Sequence, residues 1–388
     1  MGWFRCRKCE RKYFEGYPPK ICPDCGAEQE KFDKIIEKMD DRIPDYWLPM
    51  LEEKVEKIHK LQAEAGTESS SFGLITDIHW GNNEHHSAVL MENVLTRCGI
   101  PYFFNAGDTV SGFGLCPKES LFEEIDGCRQ SFKNIEHKCL MVEGNHDSAY
   151  STLEAPNYYA ENLNKDELYE HLFRFETVYP DRVFGPDGTY YYVDDKFHKM
   201  RYIVLNSHDI PSDEKNENGL PVYDRFRTTA VRQEQMEWLC NVALDVSDAD
   251  WTVTLCTHEN LVRGWEFYGG EIITGILNAF KNHTVFEGTT NIGKPEYEVE
   301  ISADFTDRGG NFTCWICGHF HDSFIEVIDG ITNISTHNDS LHQPGHSPYK
   351  RIPGTDSEHA FDIFTIDKRK RKIFITRIGA GEDREIDY

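Results

Sequence analysis

Long apolar runs are missing from this 388-residue sequence. No stretch approaches the roughly 20 residues a membrane helix requires, so no membrane partner is expected. Positive charge is also scarce. Against 67 Asp and Glu stand 41 Lys and Arg, a formal net charge of -26, which argues against broad adhesion to nucleic acid or an anionic membrane. The opening MGWFRCRKCE has no apolar core for secretion, and Cys6 stands where a myristoylation signal wants Ser or Thr. The expected address is therefore the cytoplasm. No internal repeat is evident, and nothing in the pattern fixes an oligomeric state. What is present, 39% hydrophobic and 13% aromatic residues, fits a globular protein rich in sheet with a sizeable core.

Twelve cysteines in a chain read as cytoplasmic suggest metal ligands before disulfides. Cys6, Cys9, Cys22 and Cys25 spell C-x2-C, twelve residues, C-x2-C. Each CxxC turn presents two thiolates to one ion while its amides help stabilise their charge, and two turns close a tetrahedral zinc site. The spacing predicts a structural zinc ribbon over residues 1–30. So short a segment buries little, and zinc binding would be its folding energy. Arg5, Arg7, Lys8, Arg11, Lys12 and Lys20, against only Glu10 and Glu15, make it a basic island on an acidic protein, able to meet nucleic acid or an acidic surface. Beyond it, Ile35, Ile36 and Met39, then Leu51, Val55, Ile58 and Leu61, recur at helical spacing and predict a helical linker over 31–71. GTESSS at 66–71 reads as its polar end, with the main domain running over 72–388.

In that domain short apolar runs alternate with helical patterns, the rhythm of α/β architecture. Helices are expected near Ser87 to Cys98, Glu119 to Glu136 and Thr229 to Ala243, with strands and turns dominating the last third. Five apolar runs end in TDIHWG, NAGDTV, EGNHDS, CTHEN and CGHFHD, which offer Asp77, His79, Asp108, Asn145, His146, His258, His319 and His321. Loops at strand ends are where a sheet converges side chains from distant segments. On an extended segment i and i+2 share a face, so Asp77 with His79, and His319 with His321, could each approach one metal centre. Carboxylate, amide and imidazole together suit manganese, iron, zinc or nickel rather than calcium. One carboxylate, most simply Asp108, could bridge two divalent or trivalent ions at the roughly 3.5–4 Å typical of two-metal hydrolases.

The order DxH, GD, GNHD, H, GHxH resembles the calcineurin-like metallophosphoesterase family across residues 72 to 380. The resemblance implies a four-layer αββα sandwich of two mixed sheets. It implies that Asp77, His79, Asp108 and His321 hold one metal and that Asp108, Asn145, His258 and His319 hold the other. It also implies hydrolysis of a phosphodiester or phosphomonoester by a two-metal-activated hydroxide. His146 would stabilise or protonate the departing oxygen, and Asp147 would orient it. GDTV lacks the tyrosine that purple acid phosphatases carry at that place, and the ribbon lies outside the family core. Two other functions stay open: a nuclease whose ribbon grips DNA or RNA, and a non-catalytic metal-binding scaffold. Degeneration to a scaffold would erode the motif, and no member of it is missing.

Several further residues are candidates for substrate contact. Arg263 and Trp265, with Phe267 and Tyr268, could bind a phosphate and stack on a base or sugar. His337 could line the site, His85 and His86 could reach a phosphate, and Arg225 and Arg227 lie in a long polar segment that suits a mobile rim. Cys314 and Cys317 form a second CxxC, but they sit in an apolar strand with no distant pair, and they read as core.

Overall fold

The computed structural model describes residues 2–9, 12–15, 19–34, 43–80, 84–112, 118–148, 163–173, 181–211, 214–246, 248–261, 266–341 and 348–388. At the N-terminus β1 (Gly2–Cys6), β2 (Lys12–Glu15) and β3 (Phe32–Lys34) form an antiparallel sheet with β1 in the middle. Helix α1 (Leu48–Ala65) follows. A strand-helix alternation then runs through β4 (Ser69–Ile75), α2 (Glu84–Arg97), β5 (Phe103–Asn105), α3 (Lys118–Ser131) and β6 (Cys139–Met141). After α4 (Lys165–Leu168) come β7 (Arg182–Phe184), β8 (Tyr191–Asp195), β9 (Met200–Val204) and β10 (Thr229–Ala230). Next are α5 (Gln233–Trp238), β11 (Thr252–Cys256), β12 (Phe267–Tyr268), α6 (Gly270–Asn282), β13 (Val285–Thr289) and β14 (Glu300–Asp304). The chain closes with β15 (Asn311–Cys317), β16 (Phe324–Ile328), β17 (Ile331–Ser335), β18 (Ala360–Asp367), β19 (Lys372–Gly379) and β20 (Arg384–Asp387).

Two mixed sheets dominate. One has the order β20-β19-β18-β4-β5-β6, the other β16-β17-β15-β11-β9-β8-β7. Within them β4, β5 and β6 are parallel, as are β9, β11, β15 and β17, while the remaining neighbours run antiparallel. Strands buried on both faces read as unbroken apolar runs rather than alternating ones, and all seven residues of β4 are buried. Between the sheets Phe72 stacks on Phe364 at 4.7 Å and meets Tyr202 edge-on at 5.4 Å. The Tyr202 hydroxyl, buried with them, is matched by Ser70 Oγ at 3.0 Å. Outside, α2 and α3 cover the six-stranded sheet while α5 and α6 cover the seven-stranded one. This is the layered αββα arrangement the resemblance implied.

Three expectations from the sequence need correction. Helix α1 is no free linker: its Leu51, Val55 and Ile58 stripe is buried in the main core, and Lys54 and Lys57 bind Asp383 at 3.0 and 2.7 Å. The polar stretch before Phe72 already contains strand, since Ser69–Ser71 open β4 and Ser71 Oγ bonds Thr365 at 3.2 Å. The helix expected from Thr229 starts at Gln233, because Thr229 and Ala230 pair with β12. Ile35, Ile36 and Met39 lie outside the described residues.

Candidate metal centre

The five motif loops leave the C-terminal ends of β4, β5, β6, β11 and β15. Neighbouring parallel strands deliver neighbouring loops, and these are stitched together through the backbone. The Asp77 amide donates to the Gly107 carbonyl at 2.9 Å, His79 to Asp108 at 3.0 Å, and Gly318 to His258 at 2.9 Å. Two glycines are required by closeness. A Cβ on Gly144 would stand 2.1 Å from the Asp108 nitrogen, and one on Gly318 would stand 1.9 Å from Thr76 Oγ1.

The geometry of the paired positions differs from the extended one expected. Asp77, His79, Asp108, His319 and His321 have φ of 50, 45, 51, 65 and 52°, the left-handed region. Among the described residues, five of the nine non-glycine positions with positive φ are thus candidate ligands. Such conformations cost about 1–3 kcal/mol each and persist where the surroundings over-determine them. Curled backbone, rather than strand alternation, brings each i, i+2 pair inward.

The side chains gather in two clusters that share Asp108. Asp77, His79, Asp108 and His321 each place one ligand atom within 4.8 Å of the others, and so do Asp108, His258 and His319. In the first, His321 Nε2 lies 3.1 Å from Asp77 Oδ1 and 3.3 Å from His79 Nε2. In the second, Asn145 Oδ1 lies 3.1 Å from His258 Nε2 and 3.0 Å from His319 Nδ1. Asp108 Oδ2 stands between them, 3.2 Å from His258 Nε2 and 4.0 Å from His79 Nε2. The Ala106 carbonyl accepts from His258 Nδ1 at 2.7 Å and so turns Nε2 inward.

These groups are nearly all removed from water. Burial raises the pKa of Asp108, yet the positive charge available on His258 and His146 outweighs it and holds the carboxyl well below its usual range. Conversely, burial lowers His258, but Asp108 lifts it to about 10. Burial and the His258 charge push His319 down to about 3. The centre therefore pairs ionised Asp108 with a protonated His258 and a neutral His319, and a metal ligated by His258 would have to displace its proton.

His146 sits over this centre. Its amide donates to Asp108 Oδ1 at 2.8 Å, Nδ1 faces the Gly112 carbonyl at 2.7 Å, and its ring meets His79 at 4.7 Å. Asp147 does not orient it. Its carboxylate turns away and accepts from the amides of Gly144 at 2.8 Å and Val110 at 3.2 Å, so it shapes the loops. Burial, then the nearby Asp108 charge, push its pKa well up.

Other substrate candidates fare unevenly. Arg263 and Trp265 lie outside the described residues, while Phe267 and Tyr268 are buried in β12 rather than exposed. His337 is buried beside Asp322, with its Nδ1 3.9 Å from Oδ1, and burial lowers its pKa to about 4. Arg225 is fully buried and pairs with Glu143 and the Ile210 carbonyl, which anchors the segment expected to form a mobile rim. His86 meets Trp47 at 5.8 Å; the His85 side chain lies outside the described ones. Cys314 and Cys317 are core, as read.

Sequence reasoning missed three neighbours. Glu259 Oε1 lies 3.3 Å from His319 Nδ1 and 3.8 Å from His208 Nε2, and both residues are buried. Burial lifts the Glu259 pKa to about 8. Phe226 packs on the His146 ring at 4.9 Å. A signal existed for His208, which ends the apolar run MRYIVLNSHD just as the other candidates end theirs.

In the N-terminal sheet Cys6, Cys9, Cys22 and Cys25 converge within 4.8 Å, with Cys6 to Cys25 and Cys9 to Cys22 both at 3.6 Å. Tetrahedral zinc with Zn–S of about 2.3 Å spaces its sulfurs by roughly 3.8 Å, so the four thiols fit a small zinc ribbon.

The sequence profile of the calcineurin-like phosphoesterases matches residues 70–323. No curated protein matches the chain. Among solved structures, a predicted phosphoesterase from Streptococcus pneumoniae is 10% identical, with 82% of this chain and 98% of that chain covered and a TM-score of 0.28. A phosphopantetheinyl hydrolase from Mycobacterium tuberculosis is 15% identical over 70% of this chain and 91% of its own, TM-score 0.30. The anchor in the inner membrane complex of Plasmodium is 9% identical over 82% and 89%, TM-score 0.42. These likenesses are remote, and the assignment rests on the profile.

Proposed function

The chain belongs to the calcineurin-like phosphoesterase family, and from that premise we propose that it hydrolyses phosphodiesters at the two clusters sharing Asp108. Metal-dependent phosphoester hydrolysis is the chemistry of the family. Asp77, His79, Asp108 and His321 would hold one ion, and Asp108, Asn145, His258 and His319 the other, with manganese, iron, zinc and nickel all suited to such mixed donors. Two cations bound there would neutralise phosphoryl oxygens and lower the pKa of the attacking water. The observation that carries the reading is the position of Asp108, whose one oxygen lies 3.2 Å from a histidine of the second cluster and 4.0 Å from one of the first.

The protein's own groups do the rest. A backbone carbonyl can only accept, so the hydrogen between His146 and Gly112 belongs to Nδ1. Nε2, 3.9 Å from Asp108 Oδ2, is then the nitrogen that would carry the second proton of the imidazolium and give it to the departing alkoxide, leaving the neutral Nδ1–H ring; burial opposes that charge and Asp108 favours it. Among the described residues, the buried arginines beside the motif loops are already committed, Arg225 to Glu143 and Arg377 to Asp362, which favours a diester over a monoester. A dianionic monoester would call for free cationic groups. The nuclease alternative draws on the basic ribbon, but Arg7 and Lys8 there turn onto the carbonyls of Glu30 and Cys25.

Hydrolysis of bis-p-nitrophenyl phosphate and p-nitrophenyl phosphate with manganese tests this. The diester should turn over faster. No turnover of either by metal-loaded protein would sink the enzyme reading, and a preference for the monoester would overturn the substrate class.

A further inference from the structure

A second histidine-carboxylate cluster lies away from the motif loops. His86 opens α2, and Glu358 and His359 lead into β18. His86 Nδ1 and His359 Nε2 each stand 3.8 Å from Glu358 Oε1, and all three ligand atoms lie within 4.8 Å of one another. Ligands about 2.0–2.1 Å from a tetrahedral ion are spaced by roughly 3.3 Å, so a small inward adjustment completes the site.

Hydrogen bonds around Ser87 fix which nitrogen of His359 faces the centre. Ser87 Oγ donates its single hydrogen to the Asp339 carboxylate. The hydrogen in the 2.5 Å contact between Ser87 Oγ and His359 Nδ1 therefore belongs to Nδ1. With Nδ1 carrying that hydrogen, Nε2 is the nitrogen directed at Glu358, 3.8 Å from its Oε1. Glu358 presents its carboxylate to both imidazoles. Its Oε2 is occupied by the Tyr46 hydroxyl at 3.2 Å and the Gly354 amide at 2.8 Å, which turns Oε1 toward the imidazoles. Two imidazole nitrogens and one carboxylate oxygen thus converge in a largely buried place, the donor set that a borderline divalent cation takes. Asp339, 3.3 Å from His359 Nδ1, supplies the outer carboxylate that ligating histidines usually have.

We propose that His86, Glu358 and His359 form a third cation site, with two imidazoles and one carboxylate suited to zinc or a similar borderline divalent ion. Its role is architectural. Trp47 packs edge-on against His359 at 4.3 Å, and Tyr46 bonds Glu358, so the ion would clamp the segment entering α1 onto α2 and β18. Asp339 continues the connection, because its amide donates to the Thr76 carbonyl at 3.0 Å beside Asp77.

The test is an anomalous-difference map at the zinc edge from crystals of the full chain grown with zinc, together with the zinc content of wild type, His86→Gln and Glu358→Gln by mass spectrometry. A peak among the three side chains is expected, with one zinc equivalent fewer in each variant while the thiol and Asp108 sites keep theirs. A wild-type map without a peak there overturns the proposal, as do equal zinc contents in all three proteins. If one variant fails to fold, the wild-type map and the other variant decide. The readout is metal at a named position, so it is independent of whether the protein hydrolyses diesters.

Discussion

His146 Nδ1 lies 2.7 Å from the carbonyl oxygen of Gly112. The contact fixes both tautomer and ring orientation, because only the nitrogen can supply the hydrogen. Replacing His146 with Ala should lower kcat for bis-p-nitrophenyl phosphate by about 10²–10⁴-fold, the usual range for a general acid. Manganese affinity should change little, which separates loss of proton transfer from loss of metal. Parallel kinetics and calorimetric manganese titrations check it.

The two histidines of CGHFH are predicted to be inequivalent. His321 joins Asp77 and His79, whereas His319 joins Asn145 and His258. His321→Ala should therefore weaken the first ion by at least about tenfold and His319→Ala the second, each leaving the other ion closer to wild type. Site-resolved anomalous occupancy in crystals of the two variants is the check; identical losses would contradict the division.

Asp362 carries a prediction about acid. It is fully buried between Arg377 and Arg384, with contacts of 2.7 and 2.5 Å, and although burial raises its pKa the two guanidiniums win and hold it below the ordinary value. A carboxyl depressed in the folded state stabilises above its unfolded pKa, and that contribution is lost as pH falls through the folded one. Asp362→Asn should destabilise by about 3–5 kcal/mol near neutral pH, since it leaves buried cations unpaired. The gap to wild type should shrink below about pH 4. Denaturant melts over pH 2.5 to 7, a range set by about the ordinary Asp pKa and neutrality, measure both.

Removing zinc from the ribbon should unfold that segment alone. Among the described side chains, those buried in it are Cys6 and Cys22 with Ala27 and Phe32, gathered at the thiols, so zinc ligation would supply the segment's folding energy. A thiol-reactive chelator or Cys22→Ser should expose residues 1–34 to protease while the cooperative melt of the main domain persists.

How much of this was legible in the sequence depends on how far each partner lies along the chain. The candidate ligands were legible because each ends an apolar run, and the glycines beside them mark backbones in contact. Partners chosen across the fold were not. Lys54 and Lys57 look like solvated helix charges until Asp383, more than 300 residues later, is found beside them. Arg225 reads as a rim cation because nothing local announces Glu143, and Asp147 reads as a partner of adjacent His146 although its carboxylate turns to two amides. Phe267 and Tyr268 follow a polar stretch yet are buried, since β12 pairs with β10.

The most direct test of the account uses protein stripped of metal and titrated with manganese, following bis-p-nitrophenyl phosphate hydrolysis beside bound manganese in wild type and Asp108→Asn. The shared carboxylate predicts that turnover tracks occupancy of both Asp108 positions and that the variant loses both ions and the activity together. Full turnover with one ion bound, or an Asp108→Asn protein that keeps both ions and its rate, would contradict it.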